Sequence, residues 1–176
     1  MNFGRFALRV IASVSLVAVA ACVSLPKPSD FRDTEVPISA TTRFTPENFQ
    51  GKWHVVARYP NRFLPDCDQA QWTIDDTSSL QVACPDNAGP VLDVPVAVDP
   101  TGILQVATPE LTAKSRAFVV MWMDAELRIA TIGTVSGEMG WILSRTGDIR
   151  PDKLKAAQEI MRFNGYDISQ MIVGAK

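Results

Sequence analysis

Phe49-Gln50-Gly51-Lys52-Trp53-His54-Val55-Val56-Ala57-Arg58 is the stretch that decides the fold. A glycine and a tryptophan two positions apart lead into β-branched and small apolar residues, a composition that suits a pleated strand better than a helix. Strands alternate their faces, so an inward Trp53 carries Val55, Ala57 and Tyr59 inward and turns His54, Val56 and Arg58 outward. Immediately upstream, Thr45-Pro46-Glu47 offers a capping hydroxyl and a proline suited to the first helical position, which predicts one helical turn before the strand.

Downstream, short runs are broken by turn residues about every ten positions, the signal of an antiparallel barrel or sandwich and not of a βαβ sheet. Eight strands are expected, over 52–59, 69–75, 79–84, 91–98, 102–107, 116–124, 127–133 and 140–145. The fourth is expected to be the weakest, frayed, bulged or confined to an edge, because Pro90 and Pro95 each lack a ladder donor. One helix follows. Pro151 fits its first position, Ile149 and Leu154 have the spacing of a hydrophobic staple, and Leu154, Ala157, Ile160 and Met161 form an apolar stripe that Gly165 ends. A lone helix with one apolar face packs most simply on the outside of an all-β domain.

The Gly51-Lys52-Trp53 motif resembles the first motif of the lipocalins, and Trp141-Ile142-Leu143-Ser144-Arg145-Thr146 looks like the third. The helix after it and Asn164-Gly165-Tyr166-Asp167 are similar to the bacterial lipoprotein branch of that family. The second family motif survives only as Asp124-Ala125-Glu126-Leu127, and the stretch between Cys84 and Ala117 is compressed. The resemblance covers roughly 44–172 and implies an eight-stranded up-and-down barrel with the helix outside. It further implies that Gly51, Trp53 and Arg145 close the base of the barrel, the guanidinium packing over the indole. A barrel of this size is wide enough either to be filled by its own side chains or to hold one small ligand. The candidate lining is Val55, Ala57, Tyr59, Trp141 and Leu143 by alternation, with Phe118, Met121 and Met123 from a sixth strand that is apolar on both faces, the two methionines having packing beneath the helix as their alternative.

Cys67 and Cys84 flank a hairpin and are expected to form a disulfide near the mouth, worth about 3 kcal/mol in the chain-entropy picture. Catalytic equipment is not recognised. There is no Gly-x-Ser-x-Gly and no phosphate-binding glycine loop, and the single histidine, His54, has no companion for a metal site, so neither catalytic residues nor cofactors are assigned.

The first 21 residues read differently from the rest. Arg5 and Arg9 precede an apolar run that closes on Val19-Ala20-Ala21-Cys22, which resembles the bacterial lipobox, with Cys22 as the lipid-bearing residue of the mature chain. Val23 in place of an aspartate then points to the outer membrane, with the protein facing the periplasm. The expected organisation is a signal peptide over 1–21, a lipidated cysteine and proline-bearing tether over 22–43 that reaches roughly 70 Å if extended, and a folded domain over 44–176. With 17 Lys and Arg against 19 Asp and Glu in 176 residues, a broadly basic nucleic-acid-binding surface is excluded, and 47% hydrophobic content excludes a wholly disordered chain. The functional expectation is a membrane-anchored binder, storing or transporting a fatty acid, a lysophospholipid or a similar small hydrophobic ligand. The alternatives are a filled barrel acting as an envelope scaffold and a lipocalin-type enzyme acting on a lipid.

Overall fold

The strand that starts at Gly51 runs to Arg58 (β1) in the computed structural model, which describes residues 31–61, 67, 69–75, 79–85 and 90–174. Ahead of it stands α1 (Pro46–Phe49), held by a capping box: Thr45 Oγ1 accepts from the Asn48 amide at 3.2 Å, and Asn48 Oδ1 accepts from the Thr45 amide at 3.0 Å. Two amides that a helix start would leave unpaired are thus satisfied reciprocally.

Seven more strands follow, β2 (Gln71–Ile74), β3 (Ser79–Ala83), β4 (Pro90–Asp99), β5 (Ile103–Val106), β6 (Ala117–Met123), β7 (Ile129–Thr134) and β8 (Gly140–Ser144). Each is antiparallel to the next, and β1 pairs with both β2 and β8, so the sheet closes into an up-and-down barrel with no free edge among these eight strands. The pairing of β1 is divided along its length. Residues 51–54 face β2, whereas Ala57 and Arg58 pair with a short ninth strand, β9 (Ile172–Val173), brought round by the end of the chain.

The fourth strand differs from expectation: at 10 residues it is the longest. Pro95 is tolerated because β4 changes partner there, facing β3 up to the Ser79–Pro95 pair and β5 from the Val96–Val106 pair onward. The proline lies one step past the end of β5 and uses only its carbonyl, which accepts from the Ala107 amide at 2.9 Å. Compression shows instead in β5, with 4 residues, and in the short helix α2 (Ala113–Arg116) that returns the chain to β6.

The helix α3 (Pro151–Phe163) packs outside the barrel, burying Ala157 and Met161. Gly165, at φ +88°, ends it in a Schellman turn, in which the Gly165 amide donates to the Arg162 carbonyl at 2.9 Å and the Tyr166 amide to the Met161 carbonyl at 3.0 Å.

The expected tether is corrected from Phe31 onward. Residues 31–43 form a strap that runs down the outer wall, with amide bonds from Phe31 to the Gly137 carbonyl (3.0 Å), Asp33 to that of Gly165 (2.9 Å) and Thr41 to that of Val120 (2.9 Å). Buried Arg32 locks its upper end by donating to the carbonyls of Asn164 (2.7 Å), Val135 (3.2 Å) and Val36. The strap has no periodicity because backbone groups of distant segments hold it, and a pattern of its own side chains does not. The expected signal peptide, Cys22 and the expected tether up to residue 30 lie outside the described residues.

Candidate functional site: the barrel interior

The base is built from the motif residues. Arg145 lies over the Trp53 ring, its Cζ 3.6 Å from the centroid, and donates to the carbonyls of Lys52 (3.0 Å) and Asn48 (2.8 Å). The Trp53 indole donates to the Phe49 carbonyl at 2.8 Å. Gly51, at φ +89°, opens β1 in a conformation that a side chain would strain, and a Cβ there would stand 3.4 Å from the Arg145 guanidinium. Burial lowers the Arg145 pKa, yet two carbonyls and an indole face keep the charge well accommodated.

Above the base, Val55, Phe118, Met123, Trp141 and Leu143 belong to the buried cluster that fills the barrel, together with Trp72, which alternation in Gln71-Trp72-Thr73-Ile74 was able to reveal but which was not among the candidates. Trp72, Phe118 and Trp141 meet in a ring cluster, with centroids 4.9 Å apart for the two tryptophans, 5.2 Å for Phe118 and Trp141 and 5.9 Å for Trp72 and Phe118.

Three candidates lie outside. Ala57 packs under α3, and Tyr59 and Met121 join Phe31, Met161 and Tyr166 on the outer wall. For Ala57 and Tyr59 the cause is a β-bulge, and Met121 sits outside as the extra residue of a second one. Val55 faces Leu143 but Ala57 faces the next residue, Ile142, so one residue of β1 is extra, and Val120 and Trp122 of β6 face the adjacent Ile132 and Thr131 in the same way. Each extra residue reverses the alternation beyond it.

The same reversal turns Arg58 inward. It pairs with Trp141 across the β1–β8 ladder, on the face that Trp141 presents to the interior, and it is buried at 7% exposure. The expectation of an outward Arg58 is thereby corrected. Tyr59 packs against Phe31 and Tyr166 over Gly140 instead, and burial raises its hydroxyl pKa.

Two donors inside the barrel stand out. The indole N–H groups of Trp72 and Trp141 are buried without a hydrogen-bond partner, although both rings are fully enclosed. An unmade bond to a buried donor costs about 1–3 kcal/mol. Beside them, β4 presents Leu92 and Val94 inward, across from Val82 and Leu80, yet both remain partly exposed where their ladder partners are fully buried. Along β4 the inner wall is thus less completely buried than along β3.

Cys67 and Cys84 are disulfide-bonded, their Cα atoms 5.8 Å apart, and tie the start of β2 to the end of β3 at the mouth. The weakened second motif keeps its turn through Asp124. This buried carboxylate accepts from the amides of Arg128 (2.7 Å) and Ile129 (3.0 Å) and pairs with Lys153 at 3.0 Å, while Leu127 takes a positive φ of 56°. Burial alone would raise its pKa, but the hydrogen bonds prevail and hold it below the usual carboxylate range. An open groove on the outer wall, between β1 and the start of α3, is lined by His54, Asp124, Arg150 and Lys153. It lies outside the barrel. Among the described residues no three of His, Cys, Asp and Glu gather as a metal site would need.

A family model for a Lipocalin-like domain matches residues 100–176. Temperature-induced lipocalin-1 of Arabidopsis thaliana is 25% identical, over 71% of this chain and 75% of its own length. Among solved structures, lipocalin 12 from rat epididymis superposes with a TM-score of 0.58 at 13% identity, covering 84% of this chain and 93% of that one. Lobster apocrustacyanin A1 superposes with a TM-score of 0.54 at 14% identity, covering 75% and 79%. The chain therefore has the lipocalin fold, and the matches in sequence and structure together support the lipocalin family.

Proposed function

We propose that this protein is a lipid-anchored lipocalin of the bacterial outer membrane that carries one single-chain amphipathic lipid, a fatty acid or a lysophospholipid, inside its barrel. The pair of unpartnered indole donors carries the reading: they belong to the same apolar cluster that the partly exposed Leu92 and Val94 pack against, and Trp141 shares its inner face with a buried arginine. A carboxylate or phosphate oxygen accepting from Trp141 or Trp72 would satisfy donors that the fold leaves unmatched, with the Arg58 charge on the same inner face. The acyl chain would lie along Leu92, Val94 and their neighbours. Each methylene taken from water contributes about 0.8 kcal/mol, enough for a long chain to reach an affinity on the order of micromolar after immobilisation costs. Nothing in this binding requires covalent chemistry. Anchoring rests on the sequence Val19-Ala20-Ala21-Cys22-Val23, and its direct check is Cys22→Ser, which should move the protein out of the membrane fraction.

Titration with palmitate or a lysophospholipid should shift tryptophan emission and saturate at one ligand per chain. Trp141→Phe, which keeps the ring and removes the donor, should weaken palmitate about tenfold while leaving a fatty alcohol little changed. A second reading, a filled barrel serving as a scaffold, is favoured by the close packing of Trp72, Phe118 and Trp141. Unchanged emission throughout, with no lipid in solvent extracts of the purified protein, would overturn the carrier and leave the scaffold.

A further inference from the structure

The strap fixes where the N-terminal part of the chain leaves the barrel. Phe31 is bonded to Gly137, in the turn between β7 and β8, and to Asp167 just past the end of α3. Both lie at the open end, opposite the base formed by α1, Trp53 and Arg145. From there the strap descends, so that Ala40 and Phe44 reach Gly102, in the turn that joins β4 to β5 at the base. The described residues thus begin at the mouth. Only nine Cα steps separate Phe31 from Cys22, and whatever conformation they take they span at most about 30 Å.

That distance is close to the length of the barrel itself, since β1 alone, at 8 residues, extends about 26 Å. With Cys22 acylated, a barrel standing on its base would need the link fully stretched along the whole wall. A barrel lying mouth-down satisfies it at any extension. A second, independent observation agrees. Among the described residues the large apolar side chains left exposed are Phe163, Ile172 and Val173. Phe163, 74% exposed, ends α3 beside the mouth, and Ile172 and Val173 pair with Arg58 and Ala57 in the upper half of β1. Apolar groups clustered at one end of a protein and rimmed by polar surface suit burial at the headgroup boundary of a bilayer.

We infer that the mouth of the barrel is held against the lipid surface, with Phe163 inserted at the headgroup level and the base turned away from the membrane. This orientation rests on the anchored-carrier reading and adds a route to it: a single-chain lipid would pass between bilayer and barrel without crossing open water.

The test uses the full acylated chain in vesicles of phosphatidylethanolamine with a minority of phosphatidylglycerol. Cys22 is then blocked and Cys67 is bonded to Cys84, so Phe163→Cys and Asp152→Cys each introduce a single free thiol, at opposite ends of the same helix. With an environment-sensitive dye on each, the label at 163 should shift to the blue and resist aqueous iodide several-fold better than the label at 152. Equal quenching, or better protection at 152, would overturn the orientation. The mass of the N-terminal peptide separates the two failures. A chain without acyl groups removes the anchored carrier and the orientation together, whereas an acylated chain with equal quenching removes the orientation alone.

Discussion

Trp53 and Trp141 are both fully buried inside the same barrel, yet the base gives the indole N–H of one a partner and the interior leaves that of the other without one. Trp53 donates to Phe49 and is roofed by Arg145, which itself donates to two carbonyls. Trp141 and its neighbour Trp72 have rings in close contact and idle N–H groups. Packing alone does not explain this, since a phenylalanine would fill much of the same space without the orphaned donor. The contrast separates a part of the molecule whose polar groups folding has matched from a part whose donors folding leaves open.

The comparison can be sharpened most strongly at the mouth, which is tied covalently. Replacing Cys67 and Cys84 together by alanine should lower unfolding free energy by about 3 kcal/mol in urea titrations, leaving the base intact. Next in size is Trp53→Phe, which strands the Phe49 carbonyl and should cost about 2 kcal/mol by the same measurement. Asp124→Asn should cost about 1–2 kcal/mol at neutral pH by weakening the bonds to Arg128, Ile129 and Lys153. Because the folded pKa of Asp124 is depressed, its contribution is complete above the ordinary carboxylate range and is lost as pH falls below that range through the folded pKa, so the gap between wild type and variant should narrow in acid. Tyr166 acts at the other extreme. Burial pushes its hydroxyl up to about 12, so its contribution holds below the unfolded value of about 10 and is lost as pH rises between the two; Tyr166→Phe should flatten that alkaline slope. Smallest of all should be Trp141→Phe, under about 1 kcal/mol, because no hydrogen bond is lost. A cost equal to that of Trp53→Phe would break the comparison.

The strands were legible to within a few residues because alternation and turn chemistry are local, and the base was legible through two motifs that bring Trp53 and Arg145 together. The lining was legible only up to the bulges. Val55, Phe118, Trp141 and Leu143 precede or escape the extra residues, whereas Ala57, Tyr59 and Met121 were assigned by an alternation that the backbone interrupts. Met123 returns to the interior because Met121 and Trp122 both sit on the outer face. No residue type marks a bulge among valines and methionines, so its signal lies in the ladder and not in the side chains. The strap was invisible for a related reason: its partners are carbonyls of Gly137, Asn164 and Gly165, remote in sequence.

The bulge in β1 has an effect out of proportion to its size. Shortening the segment between Val55 and Ala57 by one amino acid would leave every side-chain type in place and swap the destinations of its last residues, sending Arg58 to solvent and Tyr59 into the cup. Whether the interior of the barrel receives a cation or a phenol is thus determined by a count of peptide units, and a chain one valine shorter would exchange the two.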